Sequence, residues 1–372
     1  MSQKEELLKA LQERLDKSPV GAPPHESLFG VLEILFSEKE AFIGSRFPLL
    51  PSPFDVIEKA VTPIKGDELR AILKTMSEKG LVIAYERDGI EYYALSMVMI
   101  GFFEFTFMRT SETLPMKKLA ELMHTYRQNS EFFPKDFFGS ETNRTRTLIY
   151  ERTLPKVTRE VLTYDKASEL IKEAGYGSLT KCYCRHEAQH LGDECKKAPI
   201  DDICMGLGRG SDYLIKYGFA RRATVDELLE VLKKAEELGL VHISDNIQEK
   251  PAFICNCCGC HCGLLEWVNK KYLPNTIAPS NYVASSNQEL CVACGTCTES
   301  CQINAIELVE EDGEEYAVVN QERCLGCGIC AHVCPEDAME MKERENVKEP
   351  PQNFKELWQR LNLEKGKTKF YI

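Results

Sequence analysis

The sequence lacks the features that would place it in several large functional classes. It has no phosphate-binding glycine loop and no dinucleotide fingerprint; AGYGS at 174–178 does not have the required spacing. It has no excess of positive charge: 46 Lys and Arg stand against 58 Asp and Glu, a net charge of −12. Broad nucleic-acid binding needs a cationic face, so that class is disfavoured. No apolar run is long; the most apolar, Met97–Phe103, is far too short to cross a bilayer. The opening MSQKEELLKALQERL is charged and amphipathic, without the apolar centre of a secretory signal, and a cytoplasmic location is expected. No pair of residues stands out as a proton-transfer dyad.

Cysteine is what the sequence has in abundance, 17 in 372 residues. In a reducing cytoplasm these do not form a disulfide framework, and the odd number fits complete pairing badly. Dense cysteine there points to metal or to redox chemistry. The length calls for two or three domains. With 43% apolar and 28% charged residues, the chain reads as folded.

Eight of the cysteines form a duplication. Cys291, Cys294, Cys297 and Cys301 follow C-x2-C-x2-C-x3-C, and Cys324, Cys327, Cys330 and Cys334 repeat it 33 positions later. The flanks repeat too, CQINAIEL at 301–308 against CPEDAMEM at 334–341. Three thiolates at two-residue gaps on a glycine-containing loop can wrap one face of an iron–sulfur cubane, and a fourth must come from elsewhere. Zinc sites more commonly pair two CxxC units. The segment from about 283 to 342 resembles the bacterial two-[4Fe–4S] ferredoxins. The resemblance implies an exchange of ligands between the halves. Cluster I would take Cys291, Cys294, Cys297 and Cys334; cluster II would take Cys324, Cys327, Cys330 and Cys301. Gly295, Gly326 and Gly328 would let backbone N–H groups approach the sulfides.

One position departs from the family. The second motif ends Cys334-Pro335 but the first ends Cys301-Gln302. Gln302 either adds a donor beside cluster II, which raises its potential, or points to solvent. Between the motifs, VEEDGEEYAVVNQ predicts a hairpin turning at Asp312-Gly313. Glu307, Glu310, Glu311, Asp312, Glu314 and Glu315 make its surface acidic, either simply solvated or docking a basic redox partner.

Subtracting eight from 17 leaves nine cysteines, all between 182 and 262. Cys182, Cys184, Cys195 and Cys204 form one group; Cys255, Cys257, Cys258, Cys260 and Cys262 form another. Between them, Thr224 and Glu227 make a capping box, Leu228, Leu229 and Leu232 line a helix face, and Gly239 ends the helix. In extended chain Cys255 and Cys257 share a face, while Cys258, Cys260 and Cys262 point the other way. Cys182 and Cys184 likewise point together. Residues 163–265 resemble a cysteine-rich module found beside ferredoxin domains in proteins of anaerobic bacteria, through CYCRHEAQHLGDEC, GFARRATVDELLEVLKKAEELGLVHISDN and FICNCCGCHCG. That resemblance implies that His261 replaces a further cysteine and could be a ligand. One or more additional iron–sulfur clusters are expected here, with structural zinc or free reactive thiols as alternatives. His186 and His190, one helical turn apart, could also ligate or simply be surface. Arg185, Arg221 and Arg222 could offset thiolate charge.

Residues 27–100 predict two helices, at 28–36 and from Asp67 to Lys79, then two strands joined at Asp88-Gly89. This order resembles a winged-helix domain. Its second helix balances Asp67, Glu68 and Glu78 against Arg70, Lys74 and Lys79, so packing is favoured over DNA recognition. FFPKDFF at 132–138 reads as core or interdomain contact, and a tail helix around Phe354–Leu361 follows Pro350-Pro351.

The expected fold is α+β and multidomain: a winged-helix-like domain (1–105), a helical connector (106–162), a cysteine-rich α-helical metal-binding module (163–275), a ferredoxin-like two-cluster domain (283–342) and a C-terminal tail helix (343–372). The expected function is electron transfer to redox partner proteins. The alternatives are a ferredoxin-fed reductase (an iron–sulfur oxidoreductase) using an open-coordination cluster or reactive thiols in the middle module, and a redox-sensing winged-helix regulator.

Overall fold

The computed structural model describes residues 2–129, 137–154, 163–271 and 276–366. Of FFPKDFF, only Phe137 and Phe138 lie within the described residues, as does only part of the expected connector.

The N-terminal region is mainly helical. Ser2 and Glu5 close a capping box on the helix Gln3–Asp16, which buries Leu8, Leu11 and Leu15 along one face. Helices Glu26–Leu35, Glu38–Arg46, Gly66–Glu78 and Met116–Asn129 complete the layer. Strands β1 (Ser52–Pro53), β2 (Val82–Arg87) and β3 (Ile90–Leu95) pair in the order β1-β3-β2. Asp88 and Gly89 both take positive φ, as a two-residue hairpin turn requires. The core of this layer continues into the next region through Tyr183, Leu191, Tyr217, Leu264 and Trp267. Phe138 meets the Trp267 ring at 5.8 Å, so the aromatic motif joins two regions. The Tyr213 hydroxyl reaches the Ser77 and Val82 carbonyls at 2.9 and 3.1 Å, covering one end of the helix Gly66–Glu78.

The cysteine-rich region is not the helical module the sequence suggests. It is built on a six-stranded antiparallel sheet. Its strands are β4 (Thr145–Leu148), β5 (Gly177–Thr180), β6 (Cys204–Leu207), β7 (Arg221–Ala223), β8 (Val241–Asp245) and β9 (Phe253–Cys257), in the order β4-β8-β9-β6-β5-β7. The strands escaped notice for a physical reason. Four of them are buried at every position, so they show no polar–apolar alternation, and they are short. The edge strand β4 lies in the stretch expected to be a helical connector. The helix Val225–Glu237 has the expected Thr224–Glu227 capping box and buries Leu228, Leu232 and Ala235.

Beyond the sheet, β10 (Tyr282–Ser286) pairs antiparallel with β13 (Met339–Glu343), closing the C-terminal region on itself. Between them lie the hairpin β11 (Ile306–Glu311) and β12 (Glu314–Val319). The tail helix Phe354–Glu364 seats Leu357 and Leu361 on Ile247, with Trp358 beside them.

One buried ion pair ties these parts together. Arg146 on β4 bonds the Asp165 carboxylate, and both are almost wholly buried. The Asn281 amide donates to the other carboxylate oxygen at 2.6 Å, one residue before β10. Burial pushes the Asp165 pKa up against the pull of Arg146. Removing one partner strands the other charge. Asp165→Ala is therefore expected to cost roughly 3–5 kcal/mol, read by urea denaturation.

His242 on β8 is fully buried, and burial pushes its pKa from 6.5 down to about 4. It is thus neutral in the fold, its Nδ1 donating to Asn256 Oδ1 at 2.6 Å. Between these two pKa values the unfolded chain binds a proton that the folded one refuses. Its contribution is complete above pH 6.5 and is lost on acidification toward 4. In His242→Asn, the stability loss over that acid window is expected to shrink relative to wild type in pH-resolved denaturation.

Candidate metal centres

The duplication in the sequence is repeated in the backbone. Ala293 and Gly326 take positive φ, as do Gly295 and Gly328, and Asn304 and Asp337. Helices Thr296–Ser300 and Ile329–Val333 occupy matching places. At Gly326 an added Cβ would sit 2.1 Å from the Tyr282 carbonyl, so only glycine fits. These turns bring distant sulfurs together. Cys291, Cys294 and Cys297 line one concavity with Cys334 from the other half. Cys301 approaches Cys324, Cys327 and Cys330 closely enough for their charges to interact.

Backbone amides point at these sulfurs: Ala305 N to Cys301 Sγ at 3.2 Å, Ala317 N to Cys291 Sγ at 3.4 Å and Gly326 N to Cys324 Sγ at 3.4 Å. Such donors stabilise thiolate and cluster charge. Burial pushes the Cys327 thiol up to about 12 and raises Cys330 as well. At that depth the thiolate form needs a cation beside it, and the donor set is all sulfur, which suits iron–sulfur clusters.

The nine middle cysteines divide into two sets. Six are close enough for each thiol to act on two neighbours, in a closed ring running Cys182, Cys184, Cys262, Cys257, Cys255, Cys204 and back to Cys182. Cys182 caps the helix Tyr183–His190, and Cys184 lies in its first turn. Cys204 opens β6; Cys255 and Cys257 share one face of the neighbouring β9. The neighbouring Cys204 and Cys257 thiols pull the Cys255 thiol down to about 7, the readiest thiolate of the six.

The second set is tighter. Cys195 Sγ lies 3.8 Å from both Cys258 Sγ and Cys260 Sγ. With a His261 ring nitrogen they converge within 4.8 Å, the one such group of metal-ligand side chains among the described residues. Cys262 does not face the way alternation predicts. Strand β9 ends at Cys257, and the turn before the helix Gly263–Lys271 carries Cys262 back to the ring.

Arg185 stands between the two sets, fully buried. It donates to the Asn256 carbonyl at 2.9 Å and the Pro199 carbonyl at 3.3 Å, and its charge acts on Cys182, Cys258 and Cys204. Arg221 instead pairs with Asp202 and Glu227, and Arg222 lies over the Tyr176 ring. The His186 and His190 rings lie tilted against each other, Phe107 meets His186 edge-on and His190 at a tilt, and His186 bonds the Phe107 carbonyl at 2.7 Å. They join a packing contact, outside the converging ligand group.

The family profile of the 4Fe-4S dicluster domain matches residues 284–341. The chain carries a 4Fe-4S dicluster domain. The match covers this segment alone, and comparison with curated proteins finds no match.

The dicluster domain is tied directly to the cysteine-rich sheet. The Gln302 side chain bonds to protein groups and does not simply point to solvent. Its side chain accepts from Gly259 N at 2.7 Å and donates to the Gly239 and Ser300 carbonyls at 3.1 Å. Asn269 adds a bond to the Gln302 carbonyl at 3.0 Å. A proline in its place would offer no side-chain partner. Tyr150 makes a second tie, its N–H to the Cys327 carbonyl and its hydroxyl to the Leu240 carbonyl. One apolar cluster holds Cys257 and Cys262 of the ring together with Cys301 and Cys327. No sequence signal linked Gln302 to Gly259; only the fold brings them together.

At Gly259 a Cβ would lie 2.3 Å from the Gln302 carbonyl oxygen, whereas at Gly263 it meets nothing within 4 Å. Gly259→Ala is expected to lower stability by about 1–3 kcal/mol in urea denaturation. Gly263→Ala should stay within about 0.5 kcal/mol of wild type or gain slightly.

Proposed function

We propose that the protein is an electron carrier with three iron–sulfur centres, drawing on its dicluster domain. Cluster I is held by Cys291, Cys294, Cys297 and Cys334, and cluster II by Cys324, Cys327, Cys330 and Cys301. The third centre is a polynuclear cluster within the ring of Cys182, Cys184, Cys204, Cys255, Cys257 and Cys262. The single observation that carries this reading is the shared apolar cluster joining the ring to Cys301 and Cys327. It sets ring thiols and cluster II thiols in one packed apolar environment. The six ring thiols do not converge as a single-ion site does, which fits a larger guest. Arg185 supplies the positive charge a thiolate-bound cluster needs.

The two ends of this path differ. Cys294 is exposed on the cluster I side, beside Val292 and Leu290, which are 62% and 49% exposed. Glu289, Glu299, Glu336 and Asp337, exposed on the same loops and turns, make the segment acidic, and Glu336 acts on Cys294. Apolar tips in an acidic rim suit a basic redox protein, which steers by charge and docks close to the cluster. Single electrons then enter or leave at cluster I and exchange through cluster II with the ring. The setting is a reducing cytoplasm, and among the described residues no helix is long and apolar enough to cross a membrane.

A second reading rests on a cavity of about 130 Å³ lined by His124, Arg127, Cys184, Glu187, Cys260 and His261. Cys184 belongs to the ring, so a small polar substrate there would lie beside the third centre. The protein would then be a reductase fed by its own dicluster domain. The winged-helix-like N-terminal region reaches this cavity through Met99, and the following helix Met116–Asn129 reaches it through His124, a packing role in preference to DNA binding.

Protein purified without oxygen is expected to hold at least about twelve iron atoms per chain with matching sulfide. Cys255→Ser should lower the iron while both dicluster signals persist in electron paramagnetic resonance. About eight iron atoms in the wild type, unchanged in Cys255→Ser, would remove the third centre.

A further inference from the structure

We infer that Cys195, Cys258, Cys260 and His261 hold one tetrahedral zinc ion, a centre distinct in kind from the iron–sulfur clusters. The distances favour a single ion. Zinc–sulfur bonds of about 2.3 Å in tetrahedral geometry place two sulfurs about 3.8 Å apart. Cys195 lies 3.8 Å from both Cys258 and Cys260. All four ligand atoms fall within 4.8 Å of one another, too close to surround a cubane.

His261 gives an independent observation. Its side chain is 9% exposed; Nδ1 has no partner, and Nε2 has a close contact with the Asp193 carboxylate that falls short of a hydrogen bond. A buried ring nitrogen without a partner is costly, and a metal bond at Nδ1 relieves the cost. Its Nε2 lies 3.3 Å from Asp193 Oδ2, which leaves Nδ1 for the metal. A carboxylate behind a ligating histidine orients the ring and raises its basicity. The charges also balance: three thiolates and one zinc leave a single negative charge, near the buried Arg185 guanidinium, whose charge acts on Cys258. Mixed thiolate and imidazole donors suit zinc.

Four protein ligands close the coordination sphere, so the ion is structural. It would pin the irregular segment between the helix Tyr183–His190 and β6, through Cys195, onto the turn at 258–261. Asp193, Cys260 and His261 of this clamp also form a wall of the 130 Å³ cavity. The zinc site stands whether or not the six-thiol ring holds iron.

The test uses full-length protein purified without oxygen, with metal analysis and electron paramagnetic resonance on each variant. The wild type should carry about one zinc per chain, and Cys260→Ser and Cys195→Ser about none, with iron, sulfide and the resonance signals unchanged. Asp193→Asn should keep the ion but bind it about 10–100-fold more weakly in a chelator competition. For a variant that does not fold, cobalt substitution of the wild type and of His261→Cys gives the answer. The cobalt spectrum should be tetrahedral in both and gain thiolate charge-transfer intensity in His261→Cys. A wild type that takes up no zinc or cobalt overturns the proposal. So does iron in place of zinc at this site, a joint loss of zinc and iron in Cys260→Ser, or a cobalt spectrum that His261→Cys leaves unchanged.

Discussion

A thiolate removed from water needs positive charge close to it, and the architecture around residues 182–262 and 291–334 follows from that need. Seventeen thiols are distributed among buried or half-buried positions with few exceptions. Burial pushes several of them upward, to about 12 at Cys327, and the neighbouring Cys184 thiol together with burial raises Cys262 to about 12. Left alone they would be neutral and inert. Backbone amides aimed at Cys291, Cys301 and Cys324 and the guanidinium of Arg185 are arranged to favour the charged form. A protein that concentrates such donors on sulfur is prepared for metal, and the dicluster match identifies the metal chemistry of one segment.

The sheet is the means by which sequence-distant sulfurs meet. Strands β6 and β9 are neighbours, which sets Cys204 beside Cys255, and β9 presents Cys255 and Cys257 on one face. The helix starting after Cys182 adds two thiols, and the turn into the helix Gly263–Lys271 adds the sixth. Adjacent Cys257 and Cys258 thereby belong to different sets: Cys257 lies in the ring, and Cys258 faces Cys195 and Cys260. A tight set and a wide set, separated by one peptide bond, can hold different guests without exchanging ligands.

The two regions are joined by hydrogen bonds at contacts too close for a side chain. Gly259 lies against the Gln302 backbone, and Gly328 lies beside Tyr150 and Thr153. Electron transfer between centres depends steeply on separation, so contact at this range matters more than the strength of any single bond. Gln302 makes three such bonds in the position where the second motif has Pro335, and this asymmetry distinguishes the half facing the sheet from the half facing solvent.

Much of this was legible in the residues alone. The offset of 33 positions between the two cysteine motifs, the hairpin turns at Asp88-Gly89 and Asp312-Gly313, and the capping box at Thr224 are local signals, and local geometry obeys them. Cysteine density likewise announces metal, since thiols in a reducing setting have few other collective uses. The six-stranded sheet was not legible, because strands buried on both faces, such as GSLT and CMGL, carry no alternation to read. Nor was the partition of the nine middle cysteines. Alternation placed Cys262 with Cys258 and Cys260, and the chain left the strand before that rule could apply. Which sulfurs meet depends on pairings between strands 50 residues apart, and on Asp193 and Gln302 arriving from loops. Spacing in sequence determines what a short turn can wrap; only the folded sheet decides which turns face one another.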